Sequence, residues 1–157
     1  MRSMGRSTSL WLRSTPSSSV ERCVVLDAEA LAALAGRPGR RGLEVRAALR
    51  AAARLHREVV VPSVILAELY RGPRHNSLVD ACLSRETGIR VRDTDRSLAR
   101  IVGGVLSAAQ LGSEYLADAH VIAVAVELGG GLALTVDSED LGRLATSYGN
   151  VTVIGLP

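Results

Sequence analysis

The sequence predicts an α/β domain of three layers, α/β/α, in which a central parallel sheet of about five strands is covered by helices on both faces. Three observations carry this prediction. Short apolar runs alternate with helical patterns from Cys23 to the end of the chain. The runs are continuous rather than alternating, as strands buried on both faces require. Hydrophobic residues make up 47% of the chain and Phe is absent, so the core must be built from Val, Leu, Ile and Ala. A chain of 157 residues supports one domain with a sizeable core.

Residues 1–22 stand apart. They begin MRSMGRSTSLWLRSTPSSSV, rich in Ser and Arg and without periodicity. The one apolar cluster, LWL, is far too short for a signal-peptide core. We read this stretch as a disordered or non-native extension, with Met4 as an alternative start, and place the domain at residues 23–157.

The elements follow in order. CVVL (23–26) is a buried strand, and AEALAALAG (28–36) a helix closed by Gly36. RPGRRG (37–42) reads as a loop. LEVRAALRAAARLHR (43–57) is an amphipathic helix with arginine on one face. VVV (59–61) is a strand stopped by Pro62. SVILAELYRG (63–72) is a helix capped by Ser63 with Gly72 past its end, and NSLVDACLSRE (76–86) is another. IRV (89–91) is the third strand. TDRSLARIVGGVLSAA (94–109) is a helix weakened by Gly103 and Gly104. Residues 113–130 contain a helix that is apolar nearly all round. LALTV (132–136) is the fourth strand, SEDLGRLATS (138–147) a short helix and VTVI (151–154) the fifth strand. Right-handed crossovers place the functional site at the carboxyl ends of the strands, near the topological switch point.

Composition removes several function classes. All 19 basic residues are arginine, which excludes P-loop NTPases, Schiff-base enzymes and phospho-acceptor receivers, all of which need a lysine. No G-x-G-x-x-G follows the first strand, so a Rossmann cofactor site is excluded. A dehalogenase-like phosphatase wants Asp at position 29, where Glu29 stands, and a later lysine. No run of about 18 apolar residues offers a membrane span. Cys23 and Cys82, far apart in apolar surroundings, read as reduced thiols of a cytoplasmic protein. His56, His75 and His120 lack metal-ligand spacing and read as surface or supporting residues. Arg2, Arg6, Arg13 and Arg22 against Glu21 account for the whole net charge of +3, so the domain itself is neutral. Its charge is segregated, however. Residues 37–57 carry seven arginines against Glu44, and residues 114–157 carry six acids against Arg143.

Four carboxylates occupy unusual places. Asp27 and Asp137 each directly follow an apolar strand. Glu68 lies within SVILAELY, and Asp118 stands near the start of the most apolar helix. Each has an ordinary alternative. Asp27 and Asp137 can cap the helices that follow them, with Asp140 reaching back in a capping box. Asp118 suits a helix first turn, and Glu68 suits an exposed helix face. As a set they are harder to dismiss. The topology returns all four to one edge of the sheet, where like charges in a partly dry cleft need compensation. A divalent cation supplies it, and an oxygen-only donor set suits Mg²⁺ or Mn²⁺.

VVLDAEALAAL, VPSVILAELYRG, ADAHVIAVAVELGGGLALTVDSEDLGRL and the terminal VTVI resemble the PIN-domain ribonucleases, in particular the VapC-type toxins of bacterial toxin–antitoxin pairs. The resemblance spans residues 24–154 and implies a PIN-like fold. It implies that Asp27 and Asp118 are the principal metal ligands, with Glu68 and Asp137 completing the quartet and Asp140 accessory. Thr135 matches a hydroxyl that orients ligands. One departure is visible: Ala28 and Glu29 replace the small polar residues common after the first acid. The implied activity is Mg²⁺- or Mn²⁺-dependent hydrolysis of RNA phosphodiester bonds. The implied partners are RNA, a VapB-like antitoxin and a second copy of the chain. Arg40, Arg41, Arg71 and Arg74 are the candidates for RNA backbone contact. The competing reading is a catalytically weak PIN-fold module that mainly binds an antitoxin or RNA. The RNA itself is not legible, because specificity lies in loop shape, and the three tyrosines offer few stacking platforms for reading a single strand.

Overall fold

A computed structural model describes residues 23–157, so the expected extension 1–22 lies outside the described residues. Five strands form one sheet: β1 (Cys23–Leu26), β2 (Glu58–Pro62), β3 (Ile89–Arg92), β4 (Gly131–Thr135) and β5 (Val151–Gly155). All neighbours pair in parallel, in the order β3-β2-β1-β4-β5. β1, β2 and β4 are buried almost throughout, which is why their sequences carry no polar alternation.

Among the described residues, seven α-helices cover the sheet: α1 (Ala28–Ala35), α2 (Arg40–Arg54), α3 (Ser63–Leu69), α4 (Pro73–Arg85), α5 (Arg96–Ala109), α6 (Leu116–Glu127) and α7 (Ser138–Ala145). The chain moves outward from β1 through β2 to β3, with α1, α2 and α4 packed together on one side. It then returns across the sheet to β4 and on to β5, and α5, α6 and α7 form the opposite layer. Constant crossover handedness with reversed direction of travel puts the two sets on opposite faces. α6 is the central helix of its layer. Every residue from Ala119 to Ala125 is buried, so it shows no polar face.

Several expected boundaries move. The second helix starts at Arg40, inside the segment expected as a loop. Gly42 lies within it, facing α1, where a Cβ would stand 2.7 Å from the carbonyl oxygen of Ala33. The bare backbone thus lets the two helices approach closely. Ser63 is not a cap: Pro62 occupies the cap position and no side chain bonds the free amides. Proline lacks an N–H, so it ends β2 and opens the helix at the same point. That helix stops at Leu69, and Gly72, at φ 108°, is the residue from which α4 starts with Pro73 in its first turn. Gly36 ends α1 at φ −81° rather than in a left-handed cap. α5 runs unbroken through Gly103 and Gly104.

Cys23 and Cys82 are buried free thiols. Burial pushes the Cys23 thiol up to about 11, so it behaves as an apolar core group. His56 and His75 are exposed, whereas His120 is a core residue, its Nδ1 2.7 Å from the carbonyl oxygen of Leu116. Among the described residues, no helix is long and apolar enough to cross a membrane.

Candidate functional site

Between β1 and β4 the chain changes direction across the sheet, and the acids gather at the carboxyl ends of those two strands. Leu26 pairs with Leu134, so Asp27 emerges opposite Thr135. The Asp27 amide donates to the Leu134 carbonyl at 3.2 Å, which ties the end of β1 to β4. Its carboxylate caps α1, accepting from the Ala30 amide at 2.8 Å. Asp137 lies two residues beyond β4 and caps α7, accepting from the Glu139 amide at 3.1 Å. Capping therefore holds for both, and it orients their carboxylates at the strand ends.

Thr135 is buried between these acids. Its hydroxyl accepts from the Asp137 amide at 3.1 Å, and its one proton is shared between the Asp137 carbonyl oxygen, 3.0 Å away, and the Asp27 carboxylate. Asp118 stands half-buried in the first turn of α6. Glu68 is exposed in the last turn of α3. Asp140 lies in the first turn of α7. It makes no capping-box bond among the described residues and instead faces Arg143 at 3.8 Å.

The electrostatics show which acids share a field. Burial pushes the Asp118 carboxyl up to about 6, helped by the charges of Asp27, Glu68, Asp140 and Asp137. Burial also raises Asp27, against hydrogen bonding from Thr135 and the Ala30 and Glu29 amides. Glu29, too, is held above the ordinary glutamate range, first by burial and then by Asp27 and Asp137, with Arg41 opposing. Glu29 is a sixth acid at this edge, and in the sequence it stands out only as a departure from the family's pattern. Its signal was its place two residues after a strand-ending Asp, on the first turn of the following helix.

A divalent cation fits the chemistry of this donor set, since it would offset both the burial and the neighbouring charges that raise Asp118. Among the described residues, however, no three His, Cys, Asp or Glu side chains are already grouped closely enough to hold an ion. The acids share a field without forming a ready cage, so binding would have to draw them together.

Arginines stand on both sides. Arg40 and Arg41 line a groove of about 650 Å³ together with Glu29, Arg37 and Val136. Arg41 Nε donates to the Pro157 carbonyl at 3.4 Å, and Arg40 pairs with Glu44 at 3.4 Å. On the other flank, Arg71 Nε donates to the Glu68 carbonyl at 3.0 Å. Arg74 is exposed on the first turn of α4 and contacts none of these acids among the described residues.

The structure resembles VapBC2 from Rickettsia felis, solved bound to a DNA fragment from its promoter, with a TM-score of 0.60 and 16% identity over 86% of this chain and 99% of that one. It also resembles FitAcB from Neisseria gonorrhoeae, with a TM-score of 0.57 and 16% identity over 84% of this chain and 96% of that one. At such identity these likenesses show a shared fold. No curated protein matches the sequence. The model of the PIN domain matches residues 24–146, from the first strand to the end of the last helix. Strand order, switch-point acids and this match agree, and the chain belongs to the PIN-domain family.

Proposed function

We propose that this protein is a metal-dependent endoribonuclease that acts as the toxin of a toxin–antitoxin pair. PIN domains are generally nucleases that use divalent metals. The observation carrying the reading is the field at Asp118, where Asp27, Glu68, Asp137 and Asp140 all oppose its ionisation. A half-buried carboxyl pressed by four other acids is costly to maintain without function.

Asp27, Asp118, Glu68 and Asp137 would hold Mg²⁺ or Mn²⁺, with Asp140 accessory. The ion's chemistry is to lower the pKa of a water and offset charge on the leaving oxygen. Thr135 fixes the backbone that carries Asp137 and hydrogen-bonds toward Asp27, so it holds two donors in register. Arg41 beside Glu29, and Arg71 beside Glu68, supply positive charge where the phosphate backbone would pass the acids. An antitoxin of the VapB type and a second copy of the chain are the proposed partners, in line with the fold shared with the VapBC2 structure.

The dispersed placement of the acids favours a second reading, a module that binds RNA or an antitoxin and cleaves weakly. One experiment separates the two. Purified wild type and Asp118→Asn are incubated with RNA in Mg²⁺, in Mn²⁺ and in chelator. The nuclease reading expects cleavage by the wild type alone, and only with metal. Absence of metal-dependent cleavage, with RNA binding intact, leaves the binding module.

A further inference from the structure

We propose that a second, arginine-lined cleft at the opposite edge of the sheet from the acids holds the flank of a single RNA strand, whose backbone runs along α2. The inference rests on the ribonuclease reading and extends it to a second anchor for the substrate.

The cleft has a volume of about 340 Å³ and lies between α2, the end of α4 and the first residues of β2 and β3. Arg46, Arg50, Arg57 and Arg85 line it, and Glu86 is the one acid in the lining. Arg46 and Arg85 share that carboxylate at 3.7 Å and 3.4 Å. Arg85 also donates to the Leu34 carbonyl at 3.4 Å, which fixes its guanidinium at the rim. Arg50 is exposed and has no partner among the described residues. Glu86 against Arg46, Arg50 and Arg85 leaves a local excess of positive charge, without counting Arg57, in a domain that is neutral as a whole. Concentrated like charge disfavours the fold and favours a polyanion. Leu49 and Ile89 give the cleft an apolar wall against which a base can pack.

A polymer is favoured over a free nucleotide by what lies between the two edges. Arg46, Arg50 and Arg54 recur every four residues, so they form one ridge on α2. Arg40 and Arg41, at the start of the same helix, line the groove beside Glu29 at the acid edge. A helix of 15 residues is about 22 Å long. Arg46, Arg50 and Arg54 therefore extend the charge of the distal cleft along one face of α2 for about 12 Å, while at the other end of the helix Arg40 is paired with Glu44 at 3.4 Å and Arg41 lies on another face. A mononucleotide would use one end of that ridge, whereas a strand uses all of it.

The test uses the full chain carrying Asp118→Asn, so that RNA binds without being cut. Binding is measured for single-stranded RNA of about 20 nucleotides and of about 4, over a range of salt. Adding Arg46→Gln and Arg50→Gln should weaken long-RNA binding about tenfold relative to short RNA, and reduce the salt slope by about 1.4. Arg96→Gln with Arg100→Gln, an equal charge loss on α5 in the opposite layer, should leave that ratio unchanged. Thermal melts establish that each variant is folded. An equal loss in the α5 variant, or no change in the long-to-short ratio, overturns the proposal. So does adenosine monophosphate competing as tightly as the long RNA, since the cleft would then hold a free nucleotide. If no RNA binds the Asp118→Asn chain and the wild type cleaves none, the ribonuclease reading fails and takes this one with it. RNA binding that ignores Arg46 and Arg50 sinks the cleft alone.

Discussion

Replacing Asp118 by Asn removes the charge on which the other site carboxylates press, and it should make the metal-free protein more stable. The carboxyl stands at about 6 in the fold, against about 3.9 for a free aspartate. The folded state therefore binds the Asp118 proton more tightly than the unfolded chain does. Ionising the group costs stability, and the cost is fully present above pH 6. It shrinks as pH falls toward 4 and the folded state takes up its proton. At roughly 1.4 kcal/mol for each tenfold in proton affinity, the ceiling is about 3 kcal/mol. Asp118 is only half-buried, so solvent screening reduces the expected gain to about 1–2 kcal/mol. For a domain of this size that is an increase in Tm of about 3–8 °C. The assay is urea denaturation of wild type and Asp118→Asn in chelator at pH 7.5 and at pH 4.5. The variant should be the more stable at pH 7.5, and the gap should close by more than half at pH 4.5. Mg²⁺ or Mn²⁺ should then raise the wild type more than the variant, by mass action on the folded state. A variant less stable than the wild type at pH 7.5 would refute the reasoning, as would a gap that does not vary with pH.

Three further outcomes are expected. Thr135→Val strips the Asp137 amide of its acceptor and should cost about 1–2 kcal/mol in chemical denaturation, while Thr135→Ser should restore most of it, since the hydroxyl is the bonding group. Gly42→Ala should destabilise by about 1–2 kcal/mol although alanine is the better helix former, because its Cβ would meet the Ala33 carbonyl oxygen; a variant that melts higher than the wild type would contradict the close approach of α1 and α2. Arg92→Ala should cost about 1–3 kcal/mol, because Arg92 reaches Glu127 at 2.9 Å and Asp95 at 3.2 Å and its side chain is only 16% exposed; a melt unchanged at low salt would show that the network contributes nothing.

The five strands, the central buried helix α6 and the acids at the strand ends were all legible in the chain. Burial on both faces demands unbroken apolar runs such as CVVL and LALTV, and a polar residue just past such a run is conspicuous. Helix ends were less legible. Arg40 begins α2 because Gly42 lets that turn settle against α1, a close approach that no local pattern announces. Ser63 looks like a cap in sequence, yet Pro62 already holds that position. Glu29 joins the acid edge through space, by its relation to Asp137 more than a hundred residues away.

LALTVDSEDL shows where the boundary falls. The chain alone determined that a buried strand ends there in acid and that a helix follows, because apolar periodicity and cap chemistry are local. Folding alone decided which acids share a field: Asp137 and Asp140 both press on Asp118, while Glu139 lends only its amide to the Asp137 cap. It also decided that α2 joins two basic clefts at opposite edges of the sheet. Coulomb interactions depend on distance in space and on the dielectric around each group, and neither is set until the layers have packed.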